Sequence, residues 1–263
     1  MRRIRQIAVC IGVVLRTKLA AQMAYRGHFF LSVGLLVIGD LLLPLATLLV
    51  YRSGASFPGW TLHEALLIQG TFALARGIAF PFFFGMISSN LTHVREGTFD
   101  LLLLRPRSTL FMAMLTGMEP FDFGRLLSGG VLFGYALTGI PSPSPAEWLG
   151  FAALFAASLT VLCAFSLFFS GLLFRWVGSS RVYDIFDAFT SFGMYPGTIF
   201  AKSFQQFITY VIPVGIIAFA PASALLGRAG WQIAGGGAVA LLFLAAGLGY
   251  WHMMLRSYTS AGG

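Results

Sequence analysis

Charged residues make up only 10% of the 263-residue chain, too few to keep a soluble domain of that length dissolved. Cysteine is nearly absent. Cys10 and Cys163 lie in apolar surroundings without metal-type spacing, so they are read as small apolar fillers. His28, His63, His93 and His252 are scattered, and no pair has metal-ligand spacing. No H-E-x-x-H, Ser/His or paired-carboxylate arrangement of an intramembrane hydrolase occurs, so no catalytic residue is assigned. The Gly-x-x-x-x-Gly-Lys-(Ser/Thr) loop is also missing, so the chain has no means of cradling ATP phosphates itself. The formal charge of +8 flanks the apolar runs and forms no continuous basic stripe, which argues against nucleic acid. The basic start (Arg2, Arg3, Arg5) resembles a signal n-region, but Arg16 and Lys18 interrupt the apolar run behind it and no A-x-A-like cleavage site appears.

What is abundant is apolar: 57% of residues are hydrophobic and the mean hydropathy is +0.83. Runs of about twenty apolar residues recur along the chain, matching a bilayer core in helical rise. Phe, Leu, Ala and Gly dominate them, and Gly is commoner in membrane helices than in soluble ones. The reading is an all-α polytopic membrane protein forming a single transmembrane domain, 1–263. Residues 4–26 are amphipathic, with Ile4, Ile7, Ile11, Val14, Leu15, Leu19 and Met23 at helical spacing and Arg5, Arg16, Lys18 and Arg26 between them. That pattern suits a helix lying in the interface with its cations near lipid head groups. Spans are expected at about 29–50, 64–88, 121–140, 147–174, 183–200 and 230–254, with a tight polar link from Arg175 to Arg181 between the fourth and fifth. Lys and Arg crowd the segments on the N-terminal side of the membrane, which puts the N-terminus in the cytoplasm.

Residues 204–227 are apolar but contain Pro213 and Pro221. Backbone groups freed by proline need local partners, which favours a broken, re-entrant segment and six spans. A full crossing would give seven, and the charge count is the same for both.

Asp40 and Arg76 each fall about 18–20 Å into the antiparallel first and second spans, near the midplane. An unpaired charge there costs at least about 2.5–3.5 kcal/mol, so an Asp40–Arg76 ion pair or shared network is expected, mainly to lock neighbouring helices. A pathway role for the pair is the alternative. Glu119, Asp122 and Arg125 at the foot of the third span, and Asp184 and Asp187 at the start of the fifth, read as caps and interface charges.

The most informative stretch is Arg95-Glu96-Gly97-Thr98-Phe99-Asp100-Leu101-Leu102-Leu103-Leu104-Arg105-Pro106-Arg107, between the second and third spans. Gly97 can cap a helix, Asp100 can open a short one, and Pro106 ends it. On composition the stretch fits equally a docking helix at the membrane surface and a solvated loop with snorkelling arginines.

Here the chain resembles the type-two ABC permeases, the membrane subunits of ABC exporters. The likeness is nearest to their branch with a Gly-x-x-Asp-x-x-Leu-x-(Arg/Lys)-Pro signature after the second span, which Gly97, Asp100, Leu103, Arg105 and Pro106 match in place. The layout agrees: a basic amphipathic N-terminal helix, six spans, and the Pro-broken Tyr210–Gly227 segment before the last one. The resemblance implies a coupling helix built from Glu96, Gly97, Asp100, Leu103, Arg105 and Pro106, seated in a groove of a cytosolic ABC ATPase subunit. It implies re-entrant helices around Pro213 and Pro221 at the outer face. It further implies two ATPase copies that carry the ATP and Mg, a second permease subunit (identical or related), surrounding lipids, and the bacterial inner membrane. An ion- or proton-coupled carrier using Asp40 and Arg76, or a non-transporting scaffold, are the alternatives.

Overall fold

The computed structural model describes residues 2–175, 181–230 and 232–259; most of the polar link expected at 175–181 lies outside them. The described residues are helical throughout, with no strand. The N-terminal helix α1 covers Arg2–Ala24 and α2 covers Arg26–Arg52, parting at Tyr25. A second rod runs from Leu62 to Arg95 through α3 (Leu62–Ala79), a five-residue π-helical turn (Phe80–Phe84) and α4 (Gly85–Arg95). Thr61 and Glu64 open it with a reciprocal capping box, which satisfies two orphan backbone donors. The π-helical widening coincides with Pro81, which has no N–H to give. The Pro81 carbonyl accepts instead from the Glu119 N–H at 3.0 Å.

At 1.5 Å per residue this rod of 34 residues is about 51 Å long, some 20 Å more than a hydrocarbon core. It is therefore long enough for one end to project beyond a bilayer that it crosses. A one-turn helix α5 (Asp100–Leu103) and α6 (Thr109–Thr116) follow. Next come a 3₁₀ turn (Pro120–Gly124) and α7 (Arg125–Leu137), then α8 (Pro145–Leu172), opened by a second capping box from Ser144 and Glu147.

The fifth expected span, 183–200, is not one long helix. It holds the ten-residue helix α9 (Val182–Ser191), followed by 3₁₀ turns at Phe192–Met194 and Gly197–Ile199. Pro196 is the cause: it drives Tyr195 to extended angles (φ −108°, ψ 150°), as residues before proline are driven. Beyond lie α10 (Lys202–Gln206) with a π-helical extension (Phe207–Val211), α11 (Phe219–Leu225) and α12 (Gln232–Arg256). By length and composition, Arg5–Ala24, Arg26–Arg52, Leu62–Arg95, Pro145–Leu172 and Ile233–Arg256 are each able to cross a membrane. The bent pair Lys202–Val211 and Val214–Leu225 makes a sixth only if taken as one span.

Three glycine-based approaches set the bundle. A Cβ on Gly70 would meet the Phe133 backbone N at 2.6 Å, and one on Gly129 the Leu74 N at 2.7 Å. The antiparallel α3 and α7 thus pack backbone to backbone, as small residues allow in membranes. Gly85 and Gly117 make a closer approach between α4 and the end of α6, with no room for a Cβ on either. Leu154 meets Gly236, Ala164 meets Gly247 and Gly171 meets Tyr250, so α8 and α12 run parallel. The chain between them therefore makes one net passage along the bundle.

Candidate functional site

The turn after α4 closes by hydrogen bonds that need Gly97. Its φ is +68°; the Thr98 N–H donates to the His93 carbonyl at 2.9 Å and the Gly97 N–H to that of Val94 at 3.4 Å. This is the two-bond glycine termination of helices, where a left-handed residue is required. Phe99 and Leu102 then point inward, with exposures of 0% and 5%, while Leu101, Leu103 and Leu104 stand 59%, 43% and 81% exposed. Glu96, Arg105, Pro106 and Arg107 are exposed around them. The four leucines thus split between two faces, and only Leu102 holds the turn down.

What anchors the inner face is an aromatic cluster that the linear sequence does not assemble. The Phe99 ring lies 4.9 Å from Phe174 and 5.0 Å from Tyr258, and Phe174 lies 4.9 Å from Trp251. Asp100 lies beside Tyr258, whose hydroxyl is pushed up from its ordinary pKa by burial first and then by the Asp100 charge. The turn is therefore bolted to the adjacent ends of α8 and α12. Phe99 lies inside the motif, but Tyr258 comes from a polar tail whose return to residue 99 has no local signature.

The intramembrane charges pair differently from expectation. Asp40 accepts from the Arg125 guanidinium and, at 3.2 Å, from the Ser128 hydroxyl. Arg76 donates to Asp187 at 2.5 Å. Asp40 and Arg76 each hold another partner, and they meet through a shared layer instead of a direct pair. Both arginines lie against one ring instead, with guanidinium carbons 4.4 Å (Arg76) and 5.2 Å (Arg125) from the Phe80 centroid. Asp122 adds a contact to Arg125 at 3.5 Å. Gly124, packed against Val33 of α2, sets Arg125, the first residue of α7, beside Asp40. Depth along a span is countable from sequence; which helix lies alongside is not. Asp184, read as a helix cap, is exposed.

Lys18 also departs from expectation, because it turns inward. It donates to the Thr116 and Met118 carbonyls at 2.5 and 2.7 Å, where a cation suits a helix C-terminus. Gln22 donates to Glu119 at 3.0 Å. Burial pushes the Glu119 carboxyl above its usual range, against the opposing pull of Lys18.

The proline-broken segment forms a hairpin. Pro213 makes the break, with limbs at 83°, and the Val214 N–H bonds back across it to the Ile212 carbonyl at 2.5 Å. Pro221 does not break anything: it lies in the first turn of α11, where a missing N–H costs nothing. Both feet of the hairpin meet Trp60. Its indole N–H donates to the Thr198 hydroxyl at 2.7 Å, and the Arg228 guanidinium lies 5.1 Å from its ring while bonding Glu64 at 2.5 Å. The tip reaches Ile212, which shares an apolar recess with Phe165 and Phe169 in the last third of α8 and with Phe243 at mid-length of α12.

Comparisons with curated proteins and with solved structures return no match. Residues 36–262 match the model of a family described as ABC-2 family transporter protein. That match covers everything from the first long span to the tail, the exposed leucine turn, the charge layer and the Trp60-clamped hairpin included. This chain, an all-helical multi-pass membrane protein, belongs to the ABC-2 transporter family as a membrane permease.

Proposed function

We propose that this chain is the membrane-embedded half of an ATP-driven export complex of the bacterial inner membrane, with a cytoplasmic N-terminus and six spans. A cytosolic ABC ATPase, present in two copies and carrying ATP and Mg, docks on residues 92–106. A second permease, identical or related, completes the pathway between the two membrane subunits. The observation that carries this reading is the two-faced turn. Phe99 and Leu102 fix it to the bundle while Leu101, Leu103 and Leu104 face outward beside Arg105 and Pro106. An apolar knob rimmed by arginines on a rigid base suits a groove in a soluble partner. The hairpin with both feet at Trp60 supports a re-entrant segment at the opposite, outer face. The parallel course of α8 and α12 favours six spans over seven. In the motif, Gly97 shapes the turn, Asp100 braces it through Tyr258, and Glu96, Leu103, Arg105 and Pro106 present it.

A carrier reading finds less support, since Asp40 and Arg76 each have a fixed cationic or anionic partner. Co-purification tests the proposal. The native chain is expected to bring down a soluble Walker-type ATPase, and Leu104→Glu and Arg105→Glu are expected to lose it while membrane insertion and thermal stability stay unchanged. Retention of the ATPase by both variants, or proton-driven transport by the chain alone, would overturn it.

A further inference from the structure

The descending limb of the hairpin has a polar face. Lys202, Gln205, Gln206 and Thr209 recur on it at helical spacing and line a cavity of about 180 Å³. The opposite wall is apolar, formed by Ile216, Phe219 and Val239. Among the described residues no carboxylate lines the cavity, so Lys202 gives it the sign of a cation site for an anion. Gln205 and Gln206 supply amides that both donate and accept. The Thr209 hydroxyl already donates to the Gln205 carbonyl at 2.7 Å, leaving its oxygen as an acceptor. Gly215 keeps that side open, since a Cβ there would sit 3.1 Å from the Thr209 hydroxyl oxygen.

The cavity is also remote from the leucine turn. Gly236, in its lining, precedes Trp251 by 15 residues on α12 (251 − 236), which is about 22 Å of helix. At 180 Å³ it is smaller than the roughly 300 Å³ of a site that swallows a whole drug-sized ligand. One charged end, hydrogen-bonding groups around it and an apolar wall opposite are the features of a polar head joined to a chain.

We propose that this cavity binds the monoanionic headgroup of an amphiphile. The anion lies on Lys202, the hydroxyl or ester oxygens on Gln205 and Gln206, and the first chain carbons against Ile216, Phe219 and Val239. The rest of the chain stays in the bilayer. The site stands on the cavity alone and needs no ATPase, so its failure and the failure of the exporter reading are distinguishable.

Native mass spectrometry of the full chain in neutral detergent tests it. The probes are dioctanoyl phosphatidylglycerol, dioctanoyl phosphatidylcholine and glycerol 3-phosphate. The phosphatidylglycerol is expected to bind about fivefold more tightly than the phosphatidylcholine, the contribution of one lysine at a headgroup. Lys202→Gln, at an exposed position, is expected to abolish that preference without affecting folding. Val239→Trp is expected to weaken both lipids by filling the apolar wall, with thermal unfolding confirming an intact fold. Equal binding of the two lipids to the native chain, or a preference that survives Lys202→Gln, overturns the proposal. Glycerol 3-phosphate binding as tightly as the phosphatidylglycerol would make this a free-anion site and overturn it too.

Discussion

Asp40 and Arg125 are each only about a tenth exposed, at 11% and 13% of their side chains, and their replacement probes the charge layer directly. Arg125→Gln removes the cation from two carboxylates at once, because Asp122 also leans on Arg125 at 3.5 Å. Breaking a buried pair in this way costs about 3–5 kcal/mol, or ~6–20 °C in melting temperature for a chain of this size. Asp40→Asn is milder, since Arg125 keeps Asp122 and the face of Phe80. What goes is a charge-assisted hydrogen bond of about 1.5–3 kcal/mol. The double variant removes both ends of the pair, so its loss falls short of the sum of the singles by about 1–3 kcal/mol. Thermal unfolding of the four proteins in one detergent, followed by near-ultraviolet circular dichroism, reads these differences. A parallel set with Asp40→Asn and Arg76→Gln is expected to couple more weakly, since the two meet only through Phe80 and Asp122. Additivity in the first set, or a larger coupling in the second, would refute the pairing.

The glycine crossings give a sharp contrast on neighbouring helices. Gly70→Ala drives a methyl into the Phe133 backbone and is expected to cost about 3 kcal/mol, whereas Gly130→Ala meets nothing within 4 Å and gains about 0.5–1 kcal/mol; melting temperatures in detergent decide. Asn90 is wholly buried in α4 with neither end of its amide hydrogen-bonded, so Asn90→Leu, which removes an unsatisfied group, is expected to raise stability by about 1–3 kcal/mol. Glu119 has a raised pKa in the folded chain, so it holds its proton more tightly than the unfolded chain does. Its contribution is present below the ordinary value of 4.5 and is lost as pH rises through the folded value. Unfolding curves across that interval should show the native chain gaining stability on acidification relative to Glu119→Gln, and parallel curves would contradict it.

Much of this architecture is written in local chemistry. Thr61 with Glu64 and Ser144 with Glu147 mark two helix starts, Gly97 marks a stop, and Pro196 and Pro213 mark breaks. Each acts on backbone within a few residues; a linear reading takes up Gly97 and Pro213, whereas the expected spans at 64–88, 147–174 and 183–200 pass over the two capping boxes and Pro196. Partnership is different in kind. Arg125 takes Asp40 because Gly124 lets the start of α7 close on Val33 of α2, and that fact belongs to two helices at once. Pro221 looks like Pro213 in the sequence, yet its position in the first turn of α11 makes it harmless. Lys18 reads as a lipid-facing cation until the end of α6 offers it carbonyls. The tail at Tyr258 is polar by composition and aromatic by destination.

The rod from Leu62 to Arg95 ties the leucine turn to the Trp60 clamp. Arg76, held by Phe80 and Asp187, divides it into arms of 14 residues (76 − 62) and 19 residues (95 − 76), about 21 and 28 Å long. Trp60, two residues before the short arm begins, grips both feet of the hairpin. The leucine turn and the two feet of the hairpin thus lie at opposite ends of one helical piece, about 51 Å apart along its axis.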